Sequence, residues 1–179
     1  RMLYNPELKG AYSSVPGVMG MILLLISTMM TSISIVREKE LGTMEILLVS
    51  PMKPFLVIVS KVIPYFVISL INVATILFLS VHILGMPIQG STILLIAITI
   101  LYIFCALSLG ILISTVTDSQ LAAMLISLLG LMLPVVMLSG YVFPVANMPI
   151  ILQVLSNIVP AKWYIIMVKS VMIKGLGIN

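Results

Sequence analysis

The sequence contains very little charge. Nine Lys or Arg residues and five Asp or Glu residues are the only charged side chains among 179 residues. Hydrophobic residues make up 61% of the chain, and the mean hydropathy is +1.32. A soluble protein of this size could not cover its surface with so few polar side chains. The composition therefore predicts an integral membrane protein that contacts the lipid bilayer.

Reactive side chains are equally scarce. One cysteine, Cys105, one histidine, His82, and a few scattered carboxylates exclude an internal disulfide, a metal cluster and a paired-carboxylate site. The phosphate-binding patterns Gly-x-x-x-x-Gly-Lys-Ser/Thr and Gly-x-Gly-x-x-Gly are both absent. The basic residues lie singly or in pairs beside apolar runs, which does not indicate a nucleic-acid surface. We expect no catalysis and no cofactor bound by this chain.

Long uncharged intervals define the membrane spans. No charged residue occurs between Lys61 and Asp118, or between Asp118 and Lys162. Each interval exceeds the roughly 20 apolar residues that one helix needs to cross a bilayer. In lipid, such segments can pair their own backbone N–H and C=O groups only by forming helices. The pattern predicts an all-α, polytopic helical bundle with four spans, at about 15–36, 55–84, 92–116 and 121–141.

The segment 37–45 concentrates charge between the first two spans. It holds five of the charged residues, whereas the connection 85–91 carries no Lys or Arg. The positive-inside rule then places residues 37–53 in the cytoplasm.

A helix over residues 38–49 would place Leu41, Met44 and Leu48 on one apolar face. We therefore predict a short cytoplasmic amphipathic helix there. A loop lying on the lipid headgroups is the alternative.

The stretch 142–160 is too interrupted for an ordinary span, because prolines and amides break its apolar background. It predicts a re-entrant hairpin on the outer side. The positive-inside rule favours a full crossing instead, since Lys162, Lys169 and Lys174 would then be cytoplasmic.

Three passages of the sequence, residues 5–17, 37–45 and 139–149, together resemble the ABC-2 type permeases, the membrane subunits of ABC exporters. Asn5-Pro6-Glu7 with Val15-Pro16-Gly17 is similar to the family's return from an extracytoplasmic domain into its second helix. Arg37-Glu38-Lys39-Glu40-Leu41-Gly42-Thr43-Met44-Glu45 is similar to its coupling segment, and this is the most specific of the three passages. Ser139-Gly140-Tyr141-Val142-Phe143-Pro144 with Asn147-Met148-Pro149 resembles the broken segment before its last helix.

The resemblance implies the ABC-2 permease fold, with residues 1–14 ending an extracytoplasmic segment and 15–179 forming the transmembrane domain. It favours the re-entrant hairpin. It also implies that the chain is a fragment lacking the family's first helix, extracytoplasmic domain and last helix.

The resemblance further implies a permease in the plasma membrane, the inner membrane of a bacterium. A second permease subunit, identical or related, and separate ATP-binding cassette ATPase subunits are the implied partners. ATP and Mg would bind only to those ATPases. The implied ATPase-coupling residues are Arg37, Glu38, Lys39, Glu40, Gly42, Thr43 and Glu45, and the implied outer gate is Phe143, Pro144, Met148 and Pro149.

A polar stripe at Ser27, Thr31 and Ser34 suggests two roles. It could line the substrate path, or it could form hydrogen bonds between helices, which is the commoner use of such residues.

Three other function classes compete with an ATP-driven exporter. A nucleotide-independent secondary transporter or channel usually keeps ionisable groups within its spans, and the four central segments have none. An intramembrane enzyme would need convergent reactive groups at membrane depth. A purely structural assembly subunit is the class that the sequence excludes least.

Overall fold

The computed structural model describes residues 11–49, 53–83, 85, 90–139 and 149–174. These residues form helices and short connections, with no strand among them. The helices are α1 (Ala11–Glu40), α2 (Thr43–Val49), α3 (Pro54–His82), α4 (Thr92–Val116), α5 (Gln120–Leu138), α6 (Ile150–Ser156) and α7 (Pro160–Lys174).

Four of these helices, α1, α3, α4 and α5, are long and apolar enough to cross a membrane. This confirms the prediction of an all-α membrane bundle with about four spans. Helix α1 is longer than expected at both ends, and α5 ends at Leu138, three residues before the expected limit of the fourth span.

Helix α1 is the central element, packed against α3, α4, α5 and α7. Helices α1 and α4 approach closely at Gly110, where an added Cβ atom would lie 2.7 Å from the backbone oxygen of Thr28. One turn away, the Thr28 hydroxyl donates a hydrogen bond to the backbone oxygen of Ala106 at 2.9 Å. A residue without a side chain therefore lets the two backbones approach, as in other membrane helix pairs.

Large apolar side chains cover much of the outside of α3 and α5. Phe55, Ile71 and Phe78 are exposed on α3, and Leu121, Leu129 and Leu133 are exposed on α5. In a membrane bundle such faces contact acyl chains rather than water.

Helices α6 and α7 meet at a sharp bend of 77° between Ser156 and Pro160. Tyr164 of α7 stacks on Tyr102 of α4, with ring centroids 4.0 Å apart, and its hydroxyl lies 3.2 Å from that of Thr99. Helix α7 is therefore anchored in the bundle. The bent pair is compatible with a re-entrant hairpin or with one broken span.

Candidate functional site

The charged segment 37–45 forms a break between two helices. A single helix over residues 38–49 was expected, but α1 continues to Glu40 and α2 begins at Thr43. Gly42 between them adopts a φ of 71°, which favours glycine, and its amide donates to the backbone oxygen of Lys39 at 3.1 Å. This ends α1 and redirects the chain. We call residues 37–49 the α1–α2 junction.

Glu38 ties the end of α1 to α2 and α3. Its carboxylate accepts a hydrogen bond from Lys61 Nζ of α3 at 2.5 Å. The hydroxyl of Thr43, the first residue of α2, donates to the same carboxylate. Both side chains of the ion pair are partly shielded. One carboxylate therefore fixes the start of α2 to α3.

Lys39 ties the junction to the end of α4. Its ammonium donates to the backbone oxygens of Ser114, at 2.5 Å, and of Thr117, at 3.2 Å. The last carbonyls of a helix have no partner within that helix and carry partial negative charge, so a lysine satisfies both needs. Asp118 Oδ1 lies 3.9 Å from the same ammonium.

Glu40 ties the junction to α5. Its carboxylate accepts a hydrogen bond at 2.5 Å from the side-chain amide of Gln120, the first residue of α5. Asp118 precedes the fourth span and is a preferred N-cap residue type, but the N-cap of α5 is Ser119, whose hydroxyl accepts from the amide of Ala122 at 3.2 Å. The Asp118 side chain is instead almost fully exposed.

Glu38, Lys39 and Glu40, three consecutive residues, thus contact α3, α4 and α5 in turn, in addition to α2. Because all three residues lie at the end of α1, a displacement of that end would also displace α3, α4 and α5.

The side of α2 away from these contacts is exposed. Glu45 is exposed, as are Ile46 (72%) and Val49 (88%). Leu41, expected to hold the helix against the bundle, is 64% exposed because it lies in the turn before α2. Met44 is half-buried. The side chain of Leu48, the third member of the expected apolar face, lies outside the described part of the structure.

The Glu38–Lys61 pair gives a direct test of the junction's geometry. Glu38→Lys and Lys61→Glu should each lower the stability of the solubilised protein by about 1 kcal/mol, while the double reversal restores most of it. Thermal unfolding of the three variants measures this. Losses in the double variant equal to the sum of the two single losses would show that the pair does not form.

The polar stripe is mostly buried inside the chain. Ser27 Oγ lies 2.6 Å from Ser69 Oγ of α3, and Thr31 is fully buried against Gly110 of α4. Thr31 Oγ1 has no hydrogen-bond partner among the described residues. Of the three residues, only Ser34 is partly exposed. These positions favour a packing role for Ser27 and Thr31 over a place on a substrate path.

Three of the expected outer-gate residues, Phe143, Pro144 and Met148, lie outside the described residues. The fourth, Pro149, is exposed and precedes α6, and its backbone oxygen accepts from the amide of Gln153 at 3.1 Å. Pro149 is the N-cap residue of α6 and makes no side-chain capping hydrogen bond.

The sequence indicates the junction but not its partners. Lys61, just inside the second span, is typical of a snorkelling anchor, and nothing in the sequence links Gln120 to the junction. Lys61 is 23 residues beyond its partner Glu38, and Gln120 is 80 residues beyond Glu40. A charged residue one or two turns inside a predicted span, as Lys61 is, was the available signal for a partner within the chain.

Comparison with known proteins places this geometry in context. A family model described as "ABC-2 family transporter protein" matches residues 1–179. No solved structure matches the chain.

Several curated proteins are similar along nearly the whole chain. The probable multidrug ABC transporter permease YbhS of Escherichia coli K12 is 33% identical over 175 residues, covering 98% of this chain and 46% of YbhS. The inner membrane transport permease YhhJ of the same organism is 32% identical, covering 99% and 47%. ABC transporter G family member 20 of Dictyostelium discoideum is 26% identical, covering 98% and 24%. The chain therefore spans about half the length of its bacterial relatives.

Proposed function

Because the chain belongs to the ABC-2 family of transporter proteins, we propose that it forms the membrane-spanning part of an exporter driven by ATP hydrolysis on separate subunits. The family membership confirms the resemblance seen in the sequence. The chain is a multi-pass plasma-membrane protein, and its named bacterial relatives are permeases.

The proposed orientation places the α1–α2 junction in the cytoplasm. Arg37, Lys39, Lys53 and Lys61 lie at this end of the bundle, whereas the described residues of the connection after α3 carry no basic side chain. This distribution follows the positive-inside rule. The α6–α7 bend then belongs to the outer side, as a re-entrant hairpin with Pro149 at its start.

Helix α2 is proposed as the docking point for the ATPase. Ile46 and Val49 place exposed apolar area on a short helix outside the predicted spans, next to the Glu45 carboxylate. Apolar anchors with a polar rim are typical of protein interfaces. Arg37 is also exposed and available. Glu38 and Glu40 are engaged inside the chain, so they are assigned to transmission rather than to docking.

The observation that best supports the proposal is the set of contacts that Glu38, Lys39 and Glu40 make with three different helices. A force on α2 reaches α3 through the Thr43–Glu38–Lys61 contacts, α4 through Lys39, and α5 through Gln120. Closure of the ATPase subunits would move α2, and these contacts would carry the movement to the rest of the bundle.

The remaining parts of the machine lie on other chains. ATP and Mg bind to the ATPase partners in this proposal, and a second permease, identical or related, completes the membrane part. The chain's own contribution is the bundle and the junction.

The docking proposal is tested by copurification. Full-length protein is solubilised in mild detergent and captured by a tag, and associated proteins are identified by mass spectrometry. Wild type should bring an ATP-binding cassette ATPase. Glu45→Lys combined with Ile46→Glu should reduce the yield at least about tenfold, because losing a charge-assisted contact and an apolar anchor costs more than about 1.4 kcal/mol.

Asp118→Lys is the matched control, because it makes the same charge change as Glu45→Lys at the same end of the bundle, on an almost fully exposed side chain. It should leave copurification intact. Equal ATPase recovery from wild type and the α2 variant would reject α2 as the docking point. Absence of any ATPase from the wild type would reject the ATP-driven exporter.

A further inference from the structure

A lateral groove runs between α4 and α7 on the outside of the bundle. Its volume is about 430 Å³, which lies within the usual range of small-molecule sites. The stacked rings of Tyr102 and Tyr164 form a buried wall. Leu101, Phe104 and Trp163 are exposed beside them, so the groove opens towards the bilayer. Its lining is largely apolar, with four aromatic side chains among the contributors.

A fixed cation lies next to this groove. Lys162 Nζ is 5.5 Å from the ring centroid of Trp163, which lines the groove. The ammonium donates to Ser156 Oγ at 2.9 Å and to Asn157 Oδ1 at 2.6 Å, so the α6–α7 bend holds it in place. Trp163 is fixed by the same bend, because its indole N–H donates to the backbone oxygen of Asn157 at 2.9 Å.

The charge of Lys162 has no acidic counterpart in this half of the chain. No Asp or Glu occurs anywhere after Asp118 in the sequence. Both hydrogen-bond acceptors of the ammonium are neutral, and an ammonium has three donors. A negatively charged group would therefore complete its coordination.

The position of Lys162 along the bundle means that burying its charge costs free energy. Tyr164, two residues after Lys162, is level with Thr99, which lies about 10 Å along α4 from its first residue, Thr92. Lys162 is within one helical turn of that level. An ionisable residue inside a membrane bundle is costly and commonly marks a binding site or pathway.

We propose that the α4/α7 groove binds a single-chain amphiphilic anion, with the apolar chain along Leu101, Phe104 and Trp163 and the anionic head on Lys162. The apolar lining matches a hydrocarbon chain, and the Lys162 ammonium, whose two described hydrogen-bond acceptors are neutral, matches a carboxylate or a similar group. This site concerns a ligand of the membrane part alone, and it is independent of the ATPase coupling proposed above.

The site can be probed with 9,10-dibromostearate and its methyl ester, which share a chain and differ only in charge. Bromine quenches indole fluorescence on close contact, and Trp163 is the only tryptophan of this sequence. Full-length protein in detergent is titrated with each probe, and the signal of a Trp163→Phe variant is subtracted. The acid should bind about tenfold more tightly than the ester, as expected for one hydrogen bond to a charged group.

Lys162→Gln should remove the preference for the acid while leaving quenching by the ester in place. Lys169→Gln is the matched control on the same helix, because Lys169 lies seven residues, about 10 Å, beyond Lys162 along α7. This variant should keep the preference. Size-exclusion profiles identify variants that fail to fold. Equal affinities for acid and ester in wild type, or the same loss in both lysine variants, would overturn the anion site.

Cys105 provides a second readout, since it also lines the groove and is the only cysteine of the sequence. Dibromostearate should slow alkylation of its thiol by a maleimide, and Cys105→Ser defines the background. If neither probe quenches Trp163 or protects Cys105, the groove is filled by protein and the proposal fails.

Discussion

Gly110→Ala should destabilise the bundle by about 2 kcal/mol, even though alanine is the better helix former. The new Cβ atom would lie 2.7 Å from the backbone oxygen of Thr28 and 2.8 Å from the Cβ atom of Thr31. Neither atom can rotate away, because the backbone of α1 fixes the positions of both. The two helices must separate, and the Thr28 hydrogen bond to Ala106 would lengthen. Thermal unfolding of solubilised protein, followed by size exclusion, measures the loss.

Gly130→Ala makes the same chemical change in α5 and serves as the control. Its Cβ atom would meet only the Cγ2 atom of Ile126, at 3.7 Å, which is an ordinary contact. The variant should be unchanged or more stable by up to about 1 kcal/mol, as expected for glycine replaced within a helix. Equal midpoints for the two variants would show that α1 does not pack tightly against Gly110.

Lys39→Met should uncouple ATP binding from movement of the bundle while leaving the ATPase attached. The methionine keeps much of the apolar stem but removes the hydrogen bonds to the backbone oxygens of Ser114 and Thr117. The end of α4 would then no longer follow α1. The measurement is the ATP-dependent change in distance between spin labels at Met30 of α1 and Leu112 of α4, both of which are exposed.

The fraction of molecules showing the ATP-dependent distance should fall about tenfold, which corresponds to a typical coupling free energy between sites. Lys53→Met is the control, because Lys53 is exposed before α3 and its side chain does not cap that helix. An unchanged distance distribution in Lys39→Met would remove the lysine from the path of transmission. Loss of ATPase association in that variant would instead assign Lys39 to docking.

The long helices could be predicted from the sequence because hydrophobic length alone determines them. The third span was expected at 92–116, and α4 runs from Thr92 to Val116. No competing structure is available to an uncharged run of that length in lipid. The predicted ends of α1 and α5 were less accurate. Polar and apolar residues mix there, so packing decides where each helix stops.

The junction could be predicted only in part. Its concentration of charge and its place between spans were visible in the sequence. The break at Gly42 was not visible, because the apolar spacing of Leu41, Met44 and Leu48 continues across it and the φ of one glycine depends on the turn around it. The contacts of Lys39 and Glu40 join residues 75 to 80 positions apart, and a single sequence contains no record of such pairing.

The polar residues of α1 show a further limit. Ser27 and Thr31 have the same helical spacing whether they face a path or a neighbouring helix, so periodicity could not separate the two roles. The structure places Ser27 beside Ser69 of α3 and Thr31 against Gly110 of α4, which favours the packing role.

Photo-crosslinking from position 46 tests the central claim most directly. A photoreactive phenylalanine analogue replaces Ile46 in α2, and the same analogue at Leu133 of α5, an exposed position within a span, is the control. In intact membranes, position 46 should crosslink to an ATP-binding cassette ATPase and position 133 should not. If position 46 gives no such product while the protein is expressed and folded, α2 does not receive the ATPase and the coupling account is wrong.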